Sequence, residues 1–251
     1  MPFIVVIPAR YQSSRLPGKM LLEIGGKAMV LRVVERALQS RASAVYVATD
    51  DERIRAVCEA AGVKVLMTST AHTTGTDRIT EVAQQLGLDD DAMVVNVQGD
   101  EPLIPPAVID QVAANLAARP DTGICTLYAP IALEAEFHNP NAVKLVTDAN
   151  GRVLYFSRAA IPWPRDGLSA SSLALAKRHI GLYAYRVGVL RQFVTWPVSP
   201  IEDTEKLEQL RAMHYGVTIH AERCCEAIPA GVDTAADLEH VRTLVQAGAG
   251  R

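Results

Sequence analysis

The stretch Phe3-Ile-Val-Val-Ile-Pro-Ala-Arg-Tyr-Gln-Ser-Ser-Arg-Leu-Pro-Gly-Lys19 constrains everything that follows it. A short apolar, β-branched run reaching Pro8 reads as a buried strand. The chain then breaks into a loop carrying Arg10, Arg15 and Lys19, the hydroxyls of Ser13 and Ser14, and a Pro17-Gly18 turn. No Asp or Glu occurs before Glu23, so no sequence neighbour neutralises this cationic cluster. A buried strand that ends in a positive, donor-rich loop is where an open α/β sheet holds an anion, usually a phosphate. The alternative is a solvated loop that is merely basic; its position at the carboxyl end of the first strand argues against that.

Two familiar phosphate loops are excluded. A P-loop needs Gly, four residues, then Gly-Lys-Ser/Thr; here Met20 follows Gly18-Lys19, and Ser13 stands five positions before Gly18. The G-x-G-x-x-G fingerprint is also missing after this strand. The phosphate would therefore be held by Arg and Lys side chains and by hydroxyls, which suits a polyphosphate gripped while charge shifts along it.

Beyond the loop, apolar positions Val30, Val33, Val34, Ala37 and Leu38 predict a helix from Met29 to Ser40. Ala44–Thr49 reads as a second strand ending in Asp50-Asp51. A helix follows from Arg53 to Ala61, stopped by Gly62, then a third strand over Val63–Met67. This alternation predicts a mostly parallel sheet with helices on both faces. The polar run His72–Arg78 leads into a helix over Ile79–Leu86. Ala92-Met-Val-Val-Asn-Val-Gln-Gly-Asp-Glu-Pro102 gives a buried strand ending in Gln98, Asp100 and Glu101, and Pro105–Ala118 is a helix with proline in its first turn.

The second half changes character. Val143–Ser157 is a hairpin turning at Asn150-Gly151. Ile161–Gly167 is irregular, and Ser169–Ala176 carries few turn signals. Arg178–Arg186 alternates as a strand, Glu202–Tyr215 reads as one helix, Val217–Arg223 as a strand, and Thr234 with Asp237 as a capping box for a last helix reaching Gln246. No repeat is visible. We expect one domain over residues 1–251, with an antiparallel excursion near residues 128–200.

Composition narrows the partners. A formal net charge of -3 excludes an overall basic field for nucleic acid. No apolar run approaches the ~20 residues needed to span a bilayer, and because Met1-Pro2 runs straight into the first strand no signal peptide is expected. Cys58, Cys125, Cys224 and Cys225 show no metal or redox spacing, so the expectation is a reduced, cytoplasmic protein.

Three separated features converge at one crevice of such a sheet: the cationic loop, Asp100 after the fourth strand and Asp233 before the last helix. Magnesium is commonly held by one or two carboxylates plus substrate phosphates, so the set suits metal-assisted transfer involving a nucleoside triphosphate. Taken alone, Asp233 is a capping neighbour, and Glu101 before Pro102 fits turn chemistry better than Asp100 does.

Pro8-Ala-Arg-Tyr-Gln-Ser-Ser-Arg-Leu-Pro-Gly-Lys19, Asn96-Val-Gln-Gly-Asp-Glu-Pro102, Asn139-Pro-Asn-Ala-Val-Lys144, Tyr155-Phe-Ser-Arg-Ala-Ala-Ile-Pro-Trp163, Arg178-His-Ile-Gly-Leu-Tyr183, Leu207-Glu-Gln-Leu-Arg211 and Gly231-Val-Asp-Thr234 stand in family order. Together they closely resemble the 3-deoxy-manno-octulosonate cytidylyltransferases, or CMP-Kdo synthetases, over Phe3 to about Val241. Met20 and Ala28 stand where that family often has proline, and Asp77-Arg78 where relatives can carry Glu-Arg.

The resemblance implies magnesium-dependent transfer of CMP from CTP to the anomeric hydroxyl of the eight-carbon acid sugar Kdo, releasing pyrophosphate. In Gram-negative bacteria this activates the sugar for lipopolysaccharide. It implies a homodimer with a nucleotidyltransferase-type, Rossmann-like three-layer sandwich and a mixed, mostly parallel sheet. Arg10, Ser13, Arg15 and Lys19 match residues lining the triphosphate, and Gly75, Arg78 and Gln98 those on the nucleoside side. Asp100 and Asp233 match the metal ligands. Arg158, His179, Tyr183, Glu208 and Gln209 match positions near the sugar.

The residues themselves say less about the sugar. A lone His179 on an alternating strand reads first as a satisfied half-buried residue. Glu208 and Gln209 fit the exposed face of a helix, and Tyr183 fits plain core. Arg158, after a hairpin strand, suits a carboxylate as a bidentate fork. Two rival functions stay open: activation of sialic acid with CTP, and a silent nucleotide-binding regulator.

Overall fold

Strand β1 (Phe3–Ala9) sets the frame because it is buried on both faces. Val5, Ile7 and Ala9 pack into one core layer and Val6 into the other, as alternation along a strand requires. The computed structural model describes residues 2–12 and 16–248.

A small hairpin, β2 (Glu23–Ile24) with β3 (Lys27–Ala28), leads into α1 (Met29–Leu38). The units β4 (Ala44–Thr49), α2 (Glu52–Ala60), β5 (Lys64–Met67), α3 (Gly75–Gln85), β6 (Met93–Asn96) and α4 (Pro106–Ala117) follow. Next come β7 (Ile124–Pro130), α5 (Glu134–His138), the hairpin β8 (Lys144–Thr147) and β9 (Val153–Ser157), and α6 (Ala170–Leu173). The chain ends with β10 (Lys177–Arg186), α7 (Val187–Phe193), α8 (Pro200–Glu205), α9 (Gln209–His214), β11 (Ile219–Arg223) and α10 (Ala235–Gln246).

The sheet runs β11-β7-β10-β6-β1-β4-β5, with β8 and β9 attached to the start of β10. Strands β5, β4, β1 and β6 are parallel, as are β7 and β11, while β10 lies antiparallel between β6 and β7. Because β10 runs backwards, its first half lies at the edge where its parallel neighbours end. The register places Tyr183 opposite Asn96 at the end of β6, so His179 lies beyond that edge. Helices α1 and α4 pack on one face, α3 and α7 on the other, giving the three expected layers.

Four local expectations change. Helix α3 starts at Gly75 rather than Ile79, because Thr74 accepts from the Asp77 amide and the Asp77 carboxylate accepts from the Thr74 amide. Glu202–Tyr215 is not one helix: it breaks into α8 and α9 at Lys206, whose φ of 51° is left-handed. The Glu202 carboxylate takes the Arg211 guanidinium at 2.8 and 2.6 Å and ties the two pieces together. Arg211, in the last turn of α9, thus also serves a buried ion pair. Strand β7 was not expected at all, and the short α6 lies within Ser169–Ala176.

Candidate active site

Gly18, at a φ of 66°, opens a turn of 3₁₀-helix over Lys19–Leu21 that directs Lys19 inward until 7% of it is exposed. Its Nζ donates to Asp100 Oδ2 at 2.6 Å, to the Val232 carbonyl at 3.0 Å and to Asp233 Oδ1 at 3.4 Å. The loop after β6 is thereby joined to the entry of α10. The expected capping box is present there: Asp237 accepts the amides of Asp233 and Thr234, and Thr234 accepts that of Asp237. The Val232 amide donates to the Asp100 carbonyl at 2.8 Å. Gly99 leaves no room for a side chain, since a Cβ would stand 2.9 Å from the Pro8 carbonyl.

The cleft around these groups is lined by Arg10, Lys19, Gly75, Gln98, Asp100, Glu208 and Asp233, and encloses about 480 Å³. Two carboxylates around one cation form a hard-oxygen donor set that fits a magnesium ion, and the Lys19 ammonium shows that positive charge is held at this spot. Among the described residues no three His, Cys, Asp or Glu gather as a complete cage. The remaining oxygens would have to come from substrate phosphates and water.

Gly75, Gln98 and Glu208 also line a second cavity of about 290 Å³, walled by Thr76, Asn96, Tyr183, Tyr185 and Gln209. Asn96 Oδ1 and Glu208 Oε1 are buried there with no hydrogen-bond partner among the described residues. Buried orphan acceptors are rare and costly, so two on one cavity mark a surface made to receive donors. Burial raises the Glu208 carboxyl above its ordinary range, opposed by a hydrogen bond from Thr76 and the charge of Arg211. Burial also pushes the Tyr183 and Tyr185 hydroxyls well up, so both stay neutral. Glu208 and Gln209 are thus not a solvated helix face: the break at Lys206 turns the start of α9 into the cavity.

A third recess of about 390 Å³ adjoins the cleft through Arg10 and Gln12, and is bounded by Tyr11, Asp50, Asp51, Thr70 and His72. Burial and the charge of Arg78 lower the pKa of Arg10. Arg78 itself is fully buried, donating to Asp50 Oδ2 at 2.8 Å and to the Thr68 hydroxyl. It reaches this recess through Asp50 rather than by its own guanidinium. Ser13 and Arg15 lie outside the described residues.

Arg158 follows β9 as expected, but its fork is engaged by the chain. Nε donates to the Glu205 carbonyl at 2.7 Å, Nη1 to that of Pro140 at 3.0 Å and Nη2 to that of Lys206 at 3.3 Å. Ser157 and the Arg158 amide donate to the Glu205 carboxylate at 2.6 and 2.9 Å. The hairpin is therefore docked on the α8–α9 break. His179 packs edge-on against Phe156 and tilts over Tyr183, with ring centroids 5.0 and 5.2 Å apart. Burial, aided by Arg178, pushes its pKa down to about 3. Glu101 sits in the turn anticipated for it, donating its amide to Gln98 and accepting from Ile104. Burial and the charge of Asp100, opposed by Arg178, push its carboxyl up to about 7.

Sequence reasoning missed Asn96, Thr76, Tyr185 and Asp50. Asn96 had a usable signal, as a polar residue ending an apolar strand one position before Val97 and Gln98. The others become legible only once β10, α3 and β4 share an edge.

The family described as Cytidylyltransferase matches residues 4–219. A 3-deoxy-manno-octulosonate cytidylyltransferase of Cellvibrio japonicus is 55% identical, covering 99% of this chain and 100% of that protein. One from Pseudomonas syringae pv. syringae is 57% identical over 97% of this chain and 98% of its own length. Among solved structures, a CMP:2-keto-3-deoxy-manno-octonic acid synthetase complexed with CTP superimposes with a TM-score of 0.91 at 42% identity, covering 98% of this chain and 99% of that one.

Proposed function

The chain belongs to the cytidylyltransferase family, and we propose on that premise that it activates Kdo, transferring CMP from CTP to the anomeric hydroxyl with release of pyrophosphate. The observation that carries the reading is the pairing of cavities. A pocket with two orphan acceptors opens, through Gly75, Gln98 and Glu208, onto a cleft where a buried lysine meets two carboxylates. The first suits a polyhydroxylated acceptor, the second a triphosphate.

In this mechanism Asn96 Oδ1 and Glu208 Oε1 accept hydrogen bonds from sugar hydroxyls and orient the acceptor. Its anomeric oxygen then attacks the α-phosphorus in line; the new O–P bond forms as the bond to the β-phosphate oxygen breaks. The hydroxyl proton leaves to solvent, so no covalent enzyme intermediate or dedicated base is needed. Lys19 and Arg10 carry charge that grows on the departing pyrophosphate. Asp100 and Asp233 would hold magnesium, which when bound supplies charge neutralisation and acidifies the attacking hydroxyl.

The finer points have separate supports. A second copy of the chain would cover Leu133, Trp163 and Leu175, which are 67, 71 and 65% exposed on the antiparallel excursion. No helix among the described residues is long and apolar enough to cross a membrane; a cytoplasmic setting agrees with that and with the two buried free cysteines. The testing experiment is pyrophosphate release with CTP and Mg²⁺, comparing Kdo with sialic acid. Kdo should be turned over and sialic acid not. Preference for sialic acid overturns the acceptor, and CTP binding without release under either acid favours the silent regulator.

A further inference from the structure

Thr126, near the middle of β7, is fully buried and faces an irregularity in β10, where the pairing register shifts between Ile180 and Tyr183. At that bulge two backbone carbonyls, those of Ile180 and Leu182, both come to 2.9 Å from the Thr126 hydroxyl. The third neighbour of the same oxygen is Nε2 of His179, at 3.1 Å.

A hydroxyl has one proton and two lone pairs. Carbonyl oxygens only accept, so the Thr126 proton points at one of them and the hydroxyl meets His179 with a lone pair. The ring nitrogen facing it must then be the donor. We propose that Thr126 is a positioning residue for the acceptor site: it fixes His179 as the neutral Nε2–H tautomer and leaves Nδ1 as a hydrogen-bond acceptor for a hydroxyl of the acid sugar.

Several independent observations agree. Nδ1 has no partner among the described residues, while the backbone amide of His179 is already held by the Val143 carbonyl at 2.8 Å. Phe156 and Tyr183 clamp the ring on two sides, so rotation cannot exchange its nitrogens without repacking. The low pKa of the ring excludes the doubly protonated form over the working range. His179 packs on Tyr183, which lines the cavity, rather than lining it itself; its Nδ1 then matches Asn96 Oδ1 and Glu208 Oε1 in character, an acceptor as recognition of a polyol requires. It is not a cation for the sugar's carboxylate.

The inference rests on His179 belonging to the sugar site, and its test separates the two ideas. Long-range ¹⁵N–¹H NMR of the ring-labelled full chain reads the tautomer directly, and should show Nε2 protonated and Nδ1 bare. Thr126→Ser keeps the hydroxyl and should keep both the tautomer and the KM for Kdo. Thr126→Val should mix the tautomers and raise that KM roughly tenfold, the effect of one hydrogen bond, with the KM for CTP unchanged. A protonated Nδ1 in the unsubstituted protein overturns the tautomer assignment, even if Thr126→Val fails to fold. A mixed tautomer in Thr126→Val with an unaltered KM for Kdo overturns the role of Nδ1 while leaving the overall reaction intact.

Discussion

Nζ of Lys19 and Oδ2 of Asp100, 81 positions apart in the chain, stand 2.6 Å apart in a site where the lysine is almost wholly enclosed. One side chain from the opening loop is thus already in register with the carboxylate at the end of β6. Replacing Lys19 by Ala should lower kcat/KM by about 10²-fold or more, because a charge contact that strengthens in the transition state disappears. Steady-state kinetics of Lys19→Ala checks this, and turnover near that of the unsubstituted protein would make the opening loop a bystander.

Asp100→Asn and Asp233→Asn should each nearly abolish turnover, since Asn keeps the shape but not the charge a hard cation demands. If the pair holds one magnesium, the double variant should be little worse than either single one. Magnesium titrations of all three variants decide it; multiplicative losses would leave Asp233 as only the neighbour of a helix cap.

Arg158→Ala should raise the KM for Kdo with little change for CTP, and should also destabilise the chain. Its guanidinium holds two backbone carbonyls at the α8–α9 break and a third, that of Pro140, before β8, and at about 1 kcal/mol for each hydrogen bond the loss is roughly 1–3 kcal/mol. The urea midpoint measures the second effect. A collapse of CTP affinity would instead put Arg158 on the nucleotide side.

Gly99→Ala is a small substitution with a large expected consequence. The new methyl would meet the Pro8 carbonyl at 2.9 Å and Met20 Sδ at 2.8 Å, and only the methionine can turn aside. The backbone bearing Asp100 must shift, so kcat should fall at least about tenfold while far-UV circular dichroism stays unchanged. Full activity would mean that the loop after β6 tolerates displacement.

His179 links stability to pH. Its pKa falls from 6.5 in the unfolded chain to about 3 in the folded one, so the unfolded state takes up a proton that the folded state refuses. The stabilisation is complete above 6.5 and drains away as pH falls toward 3. Between about pH 7 and about pH 5 the loss is about 2 kcal/mol. His179→Gln, which cannot titrate, should show a shallower decline in urea midpoint over that interval; equal slopes would mean that the ring takes up protons in the folded state.

The parallel half of the sheet was legible because its signals are local. Ala44–Thr49 is bounded as its apolar run predicts, and the Thr234–Asp237 capping box forms as spaced. The break at Lys206 was not legible, since Glu-Asp-Thr-Glu-Lys-Leu-Glu contains no Pro or Gly. A left-handed lysine there is stabilised by the Glu202–Arg211 pair, which bridges the break, and by Arg158 donating to its carbonyl from the end of β9. Local helix propensity lost to tertiary contacts. The same holds for Lys19 and Arg158: sequence shows the charge, whereas the carboxylates and carbonyls it meets are set by topology. Strand β7 does carry a signal, the run Ile-Cys-Thr-Leu-Tyr between Gly123 and Ala129, but it is short and weaker than the Asn150-Gly151 hairpin that follows.

The seam between β6 and the reversed β10 has a consequence for inheritance. On one side of it stand Arg10, Asp50 and Asp100, in the loops that follow β1, β4 and β6; on the other stand His179, Tyr183 and the docked hairpin. The seam is a ladder of backbone hydrogen bonds, which hold whatever side chains the strands carry. Substitutions along β10 and the hairpin can therefore accumulate by descent without disturbing the parallel half. On the proposed reading, a lineage could keep its nucleotide site fixed while the sugar contacts carried by β10 and the hairpin drift, with Asn96 on β6 as the contact held constant across the seam.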